Sequence, residues 1–523
     1  MDRRKFLRTS IGSGLAPLVL NGLSVNAFAE SPLLQFLGKS NKNRIAVLIQ
    51  LNGGNDGLNT VIPLDQYSFL SNARSNILIP EAKVLALTGT TKTGLHPAMN
   101  ELRSLYDEGR LSIVQNVGYP NPDFSHFRAT DIWLTGSDSN QFVETGWMGR
   151  YLDSQFAGFP TGYPNEEYPD PPAIQIGAMI SPALQGQHAS LGMSITNPSS
   201  FYQFVNGTVD PAPNTPAGHE LSFLRLVAQQ TQQYSGSVKT AADKGKNLSS
   251  KYPAAGTNSL ADQLKIVAQL ISGGLSTQVY MVSLGGFDTH SAQVDASTKE
   301  NGSHASLLQK ISQAVNAFQD DLKLLGVDDR VLGMTFSEFG RRIKSNASLG
   351  TDHGTSAPLF LFGKHIKGGI YGKNPVIPQN ASVNDNVPME FDFRSIYGSI
   401  LKEWFEISDT ERTEILLKDF PTLDLIDGSA TGYYEKSLSK KLIVFPNPTT
   451  GVVNIQFENQ ISGEPISLEI FDMQGRKQEL GSLQNKTDNG IFRLDLVHLP
   501  AGNYAIHLQQ GRRRWTEKLM KVD

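Results

Sequence analysis

Three apolar runs, each ending abruptly on a glycine-rich or acidic turn, constrain the fold of this chain more than any other feature. Arg44 to Leu51 (RIAVLIQL) stops at Asn52 to Gly57 (NGGNDG), and Thr277 to Leu284 (TQVYMVSL) stops at Gly285 to His290 (GGFDTH). Arg330 to Phe336 (RVLGMTF) runs into SEFG, with Thr351 to Gly354 (TDHG) a short way on. Runs this continuous read as strands buried on both faces, which requires a sheet covered by helices on each side. The intervening segments have the period such helices need. Asn258 to Leu270 puts Leu260, Leu264, Val267 and Leu270 on one face behind a capping Asn258 or Ser259, and Ala305 to Leu325 does the same with Leu308, Ile311, Val315, Phe318, Leu322 and Leu325. Strand, helix, strand in succession implies parallel pairing through right-handed crossovers. The expected class is therefore α/β, a three-layer α/β/α sandwich on a mostly parallel sheet.

In open sheets of this kind ligands collect beyond the carboxyl ends of the strands. Asp56, Asp288, His290, Asp352 and His353 all fall there, so they are expected to converge on one crevice. Carboxylate oxygens with imidazole nitrogens suit a divalent cation, Zn²⁺ foremost with Mn²⁺, Mg²⁺ or Ca²⁺ as alternatives, as one ion or two. A metal site of that kind cleaves phosphate or sulfate esters.

The 523 residues carry a formal charge of -4 and no cysteine. The charge leaves no electrostatic footprint for nucleic acid, and the missing cysteines exclude disulfides, thiolate metal sites and a cysteine nucleophile. Residues 1–29 begin MDRRKFLRTS, continue through a weakly apolar stretch and end in Ala27-Phe28-Ala29, a small-x-small cleavage pattern that reads as a signal peptide. Arg3-Arg4 before Lys5, Phe6 and Leu7 resembles a twin-arginine export signal, which makes the export machinery a partner and the periplasm a way-station to the cell surface or medium. No later run is long enough for a membrane span.

Residues 30–43 form a polar lead-in, and 44–428 the α/β region. Residues 158–256, rich in Pro, Gly, Ser, Gln and Asn, read as an irregular insertion over the sheet. After a linker at 429–440 the texture changes. Residues 441–523 alternate short apolar segments with Pro446-Asn447-Pro448, Gly475 and Pro500-Ala501-Gly502, the pattern of a small all-β, Ig-like sandwich. This tail resembles the C-terminal sorting domain of the type IX secretion system of Bacteroidetes, through Phe445 to Pro448, Gly451, Phe471-Asp472, Gly475, Leu499 to Gly502, Tyr504 and Lys521-Val522. The resemblance implies the type IX machinery as a second partner.

The main region resembles the DUF1501 family of exported proteins. The residues that carry the likeness are LNGGNDGLNTVIP, the stretch from Leu95 to Gly136, GGFDTH, RVLGMTFSEFGRRIKSN, GTDHGTSAP, KGGIYG and DFRSIYGSIL. That family is distantly similar to the alkaline phosphatases and sulfatases, whose fold and two-metal site are the implied expectation. Asp56 takes the first-strand position, Ser125 or His126 the nucleophile's, Asp288 with His290 the middle pair and Asp352 with His353 the later pair. Three departures stand out. The middle pair is Asp-x-His where the superfamily has Asp-x-x-x-His. Only His365, His498 and His507 follow His353 as a further ligand. Neither a cysteine nor a Ser-x-Pro-x-Arg pattern offers the modified nucleophile of a sulfatase.

Each candidate has a plain structural alternative. Asp56 is a metal ligand or an Asx turn capping the next helix. Asp288 and His290 are ligands, or His290 is held by a backbone carbonyl. Asp352 and His353 are ligands or a hydrogen-bonded pair. Ser125 is a nucleophile or a helix N-cap, and His126 a ligand or acid/base group. Glu338 is a ligand or general base, or a salt-bridge partner of Arg341 or Arg342. Arg341 binds a substrate anion or is solvated surface, and His304 is expected to be exposed. The function these residues spell is hydrolysis of a small anionic ester; the alternative is a non-enzymatic surface binding or assembly protein on a degenerate phosphatase-like fold.

Overall fold

The computed structural model describes residues 44–196 and 234–427, the tail segments 442–457, 466–472, 476–478, 483–484, 491–510 and 513–522, and two short paired strands, Val19–Leu20 and Leu23–Ser24. The remainder of the signal, the whole lead-in, the linker and residues 197–233 of the expected insertion lie outside the described residues. The chain divides into two compact units, one of them Asn43–Gly428.

Among the described residues that unit is built on a nine-stranded sheet. Its strands are β1 (Ile45–Asn52), β2 (Leu111–Gly118), β3 (Ala173–Ile176), β4 (Gly192–Ile195), β5 (Val279–Gly285) and β6 (Val331–Phe336). A separate hairpin, β7 (Arg341–Ser345) with β8 (Thr351–His353), comes before the last three, β9 (Ala357–Gly363), β10 (Gly369–Tyr371) and β11 (Phe391–Asp392). The order across the sheet is β10-β2-β9-β6-β1-β5-β3-β4, with β11 continuing beside β2. β9 is antiparallel to both neighbours and every other pairing is parallel. The sheet is therefore mostly parallel, and the ends of β1, β2, β5 and β6 that carry the acidic and histidine motifs lie along one edge.

Successive strand residues face opposite sides. Ala46, Val47, Leu48 and Ile49 are all 1% exposed or less, so both faces of β1 are covered. Helices α1 (Tyr67–Arg74), α2 (Asn100–Asp107), α3 (His126–Thr135), α4 (Trp147–Gln155), α5 (Ser259–Ser272), α6 (Ser303–Leu324) and α7 (Phe393–Ser399) supply much of the cover. Asn258 caps α5 by accepting from Ala261 N, and the apolar positions read from the sequence are its buried ones. In another part of the cover Trp133 stacks on Phe336 of β6 and on Phe393, while Trp147 stacks on Tyr397 at 3.9 Å between ring centroids.

Two expectations are corrected. The stretch 158–256 is not wholly an insertion, because β3 and β4 within it extend the central sheet beside β5. Four-residue strands between proline- and glycine-rich turns are too short to show a period. His304, expected on the surface, is 1% exposed and hydrogen bonds through Nε2 to Asn55.

Among its described residues the tail forms two four-stranded antiparallel sheets. Val444, Val453, Ile455 and Leu494 from one pack with Ile470, Tyr504, Ile506, Leu508 and Leu519 from the other into one core. A bridge from Thr449 to Lys521 ties the two sheets together. Among the described residues no helix is long and apolar enough to cross a membrane.

Candidate metal centre

The turn after β1 is shaped by Gly53. Its φ of +123° lies where side chains are rarely tolerated, and a Cβ there would sit 2.2 Å from Asp288 N. Glycine lets the β1 and β5 loops touch backbone to backbone. Further along, Asp56 turns into the protein. It accepts from Leu58 N as the cap of the short helix Gly57–Thr60, and its two oxygens take Arg74 Nη1 at 2.9 Å and Gln293 Nε2 at 2.6 Å. Both partners of that ion pair are fully buried. Burial alone would raise the Asp56 pKa, but Arg74, His304 and Gln293 outweigh it and hold the group below the usual carboxylate range. Its oxygens are occupied, so Asp56 does not join the cluster described next; of the two sequence alternatives the Asx turn is the one seen.

After β5 the chain keeps the alternation of a strand. Thr289 is buried and donates to Gln293, which leaves Asp288 and His290 on the same, open side. His290 Nε2 lies 3.1 Å from Asp288 Oδ1, so the Asp-x-His spacing does bring its two side chains together. The β7-β8 hairpin carries His353 to the same carboxylate, also with Nε2 3.1 Å from Asp288 Oδ1. A third imidazole comes from the first position of α3, where His126 Nε2 is 3.4 Å from Asp288 Oδ2. His126, Asp288 and His353 offer donor atoms mutually within 4.8 Å, and His290 Nε2 is 2.9 Å from His353 Nε2.

The protons follow from the partners. His353 Nδ1 faces the Phe124 carbonyl at 2.8 Å, which can only accept. His126 Nδ1 faces Glu338 Oε1 at 2.9 Å, an oxygen that also accepts from Gly53 N. His290 Nδ1 faces Asp352 Oδ1 at 3.2 Å, and that carboxyl is held low because hydrogen bonds from Asn346 and His290 outweigh its partial burial. Each Nδ1 therefore carries the hydrogen, and in the neutral ring each Nε2 presents a lone pair. Burial lowers the pKa of His353, keeping it neutral. Burial alone would raise the Asp288 pKa, but the Arg341 guanidinium beside it outweighs that and holds the carboxyl ionised, at about 2. Three nitrogen lone pairs and a carboxylate facing one another repel unless a cation lies among them. Imidazoles anchored through Nδ1 by carboxylates and a carbonyl are the usual outer support of metal ligands.

Arg341, expected to bind a substrate anion, is 1% exposed. It donates to the carbonyls of Gly53, Gly54, Phe287 and Thr351 and to Asp288 Oδ1. It fastens the β1, β5 and β8 loops to one another and positions Asp288. Glu338, 3% exposed, plays the same part for His126 and the Gly53 turn. Ser125 stands at the N-cap position of α3 with its side chain exposed and capping nothing. His365 pairs with Asp329.

Beside the cluster opens a cleft of about 420 Å³, lined in part by Asn52, His126, Phe127 and Thr130. Sequence reasoning passed over Asn52, Phe127 and Thr130. The available signal was Phe127, which falls on the side of α3 opposite the buried Ala129, Ile132 and Trp133 and is 92% exposed.

Residues 43–415 match the family described as a protein of unknown function, DUF1501. The chain belongs to that family. Residues 443–522 match the secretion system C-terminal sorting domain, which marks this as a secreted or cell-surface protein using the type IX route. No curated protein matches the chain in sequence. Among solved structures, a sulfatase from Pseudoalteromonas is 12% identical with a TM-score of 0.32, covering 75% of this chain and 73% of its own. A phosphonate monoester hydrolase from Silicibacter pomeroyi is 9% identical at 0.30, covering 92% and 88%. An alkaline phosphatase from the Antarctic bacterium TAB5 is 11% identical at 0.25, covering 63% and 94%.

Proposed function

We propose that this chain is an exported hydrolase of phosphate or sulfate esters, working with one divalent cation held by His126, Asp288, His290 and His353. The observation that carries the reading is the convergence of three Nδ1-anchored imidazoles on the ionised Asp288. Nitrogen-rich donors with a single carboxylate suit Zn²⁺ best. Asp56, assigned to the metal on sequence, is satisfied by Arg74, so the donor set supports one ion and not a pair. Such an ion, when bound, polarises the ester and acidifies water. The protein's share is positional: Glu338 and Asp352 hold the protons on His126 and His290, and Arg341 holds Asp288 in place. Export begins on this reading with the twin-arginine signal in 1–29 and ends with the sorting domain in 441–523, leaving 44–428 as the working part.

The second reading, a binding protein that uses the ion structurally, is favoured by one observation. Among the described residues no side chain at the cleft is placed as nucleophile or base, since Ser125 is exposed and Glu338 is engaged. The test is hydrolysis of aryl phosphate and aryl sulfate by the purified mature chain loaded with Zn²⁺ or Mn²⁺, beside His353→Ala. Metal-dependent turnover lost in the variant supports the hydrolase. A tightly held ion without turnover on either ester moves the assignment to the binding protein.

A further inference from the structure

The cleft next to the cluster has a chemistry of its own. Phe127 stands on its rim 92% exposed, on the side of α3 away from the core, adjacent in sequence to His126. An aromatic face left in water beside a functional site is a platform for a flat apolar surface. Asn52 and Thr130 also line the cleft, and neither side chain has a hydrogen-bond partner among the described residues. They offer a neutral amide and a hydroxyl, the groups that recognise alcohols.

The charges narrow the choice further. Among the described residues the cleft is lined by Asp288 and Glu338 and by no lysine or arginine. Arg341 is buried behind it. Arg128 is taken up by Asp131 and three backbone carbonyls, and Arg342 by His353 O, Val383 O and Asn384. Nothing among the described lining residues would balance a polyanion. A group with an apolar face and neutral hydroxyls at its edge fits, and 420 Å³ is within the usual range for a small-ligand pocket.

We propose that this cleft is a subsite for a neutral pyranoside, with Phe127 stacking on the sugar face and Asn52 and Thr130 bonding its hydroxyls. It rests on the hydrolase reading in one respect, that the ester borne by the sugar is directed at the cation site. Phe127 is then a specificity-determining residue, and the substrate is an ester of an otherwise uncharged sugar.

The experiment is saturation-transfer NMR on the mature chain with methyl β-galactopyranoside, methyl β-glucopyranoside and methyl β-xylopyranoside, and with benzyl alcohol as a flat apolar probe without the sugar's hydroxyl pattern. Bound Zn²⁺ is assayed on the same samples. The expected result is transfer to the ring protons of at least one pyranoside, weakened roughly ten-fold in affinity by Phe127→Ala, retained in Phe127→Trp and weakened by Asn52→Ala with Thr130→Ala. Because Phe127 is exposed, its replacement leaves folding intact, which circular dichroism checks. Absence of transfer from all three pyranosides, or equal transfer in Phe127→Ala, overturns the proposal. Benzyl alcohol binding as well as the sugars, with no effect of the Asn52 and Thr130 changes, overturns it in favour of an aryl site. Pyranoside binding in protein that takes up no metal sinks the hydrolase reading and leaves the subsite standing; metal uptake without pyranoside binding does the reverse.

Discussion

The turns that follow β1 and β5 are close relatives in sequence, NGGNDG and GGFDTH, yet their aspartates have opposite fates. Asp56 is fully buried and surrounded by donors, with Arg74, Gln293 and Leu58 N filling its oxygens. Asp288 has a side chain 45% exposed and surrounded chiefly by acceptors, three imidazole Nε2 atoms, with Arg341 as its one fixed cation. An aspartate ringed by donors is finished and serves the fold. One ringed by lone pairs still lacks a positive charge. Residue type and strand-end position bring both to the same edge, and the surrounding partners decide which of them serves chemistry.

The comparison can be broken by exchanging what each aspartate loses. Asp56→Ala strands Arg74 as a buried unpaired cation, and breaking such a pair costs about 3–5 kcal/mol. Chemical denaturation should show that loss, while whatever protein remains folded keeps its metal stoichiometry. Asp288→Ala should do the converse. Stability without metal stays near wild type, since Arg341 retains its backbone carbonyls, and affinity for Zn²⁺ falls by more than about 100-fold, beyond the range usual for outer-shell changes. Glu338→Gln removes the anchor of His126 without removing a ligand, so a drop of roughly 10–100-fold is expected in the same titration.

A pH effect sharpens the picture of the buried side. Burial pushes His304 down to about 4 and His96 down to about 3, the neighbouring imidazole adding to the shift of His96. An unfolded histidine titrates near about 6.5, so between there and about 4 the unfolded chain takes up protons that the folded one refuses. Stability is full above that window and declines as pH falls through it, by about 1–3 kcal/mol for each group. Thermal melts of chelator-treated protein across the window should flatten in His304→Gln; an unchanged slope would contradict the assignment.

Much of this organisation is legible in the sequence, for identifiable reasons. β1, β5 and β6 show as unbroken apolar runs because both faces are buried, and α5 and α6 show through their period and the Asn258 cap. β3 and β4 did not show, being four residues each among turn formers. The histidines and aspartates at strand ends were visible as residue types. Their direction was not, because it depends on partners far away in the chain: Arg74 captures Asp56 across 18 residues, and Glu338 anchors His126 across 212. The Asp288-x-His290 spacing, foreign to the phosphatase pattern, works because Thr289 is anchored inward by Gln293. Arg341 read as an anion binder or a surface cation because nothing in SEFGRR reveals the four carbonyls waiting for it.

The most direct test of the central claim is calorimetric titration of Zn²⁺ into the chelator-stripped mature chain, run beside Asp288→Ala and Asp56→Asn. One tightly bound equivalent, lost in Asp288→Ala and kept in Asp56→Asn, is the predicted result. Absence of binding in the wild-type chain, or binding that survives in Asp288→Ala and disappears in Asp56→Asn, would contradict it.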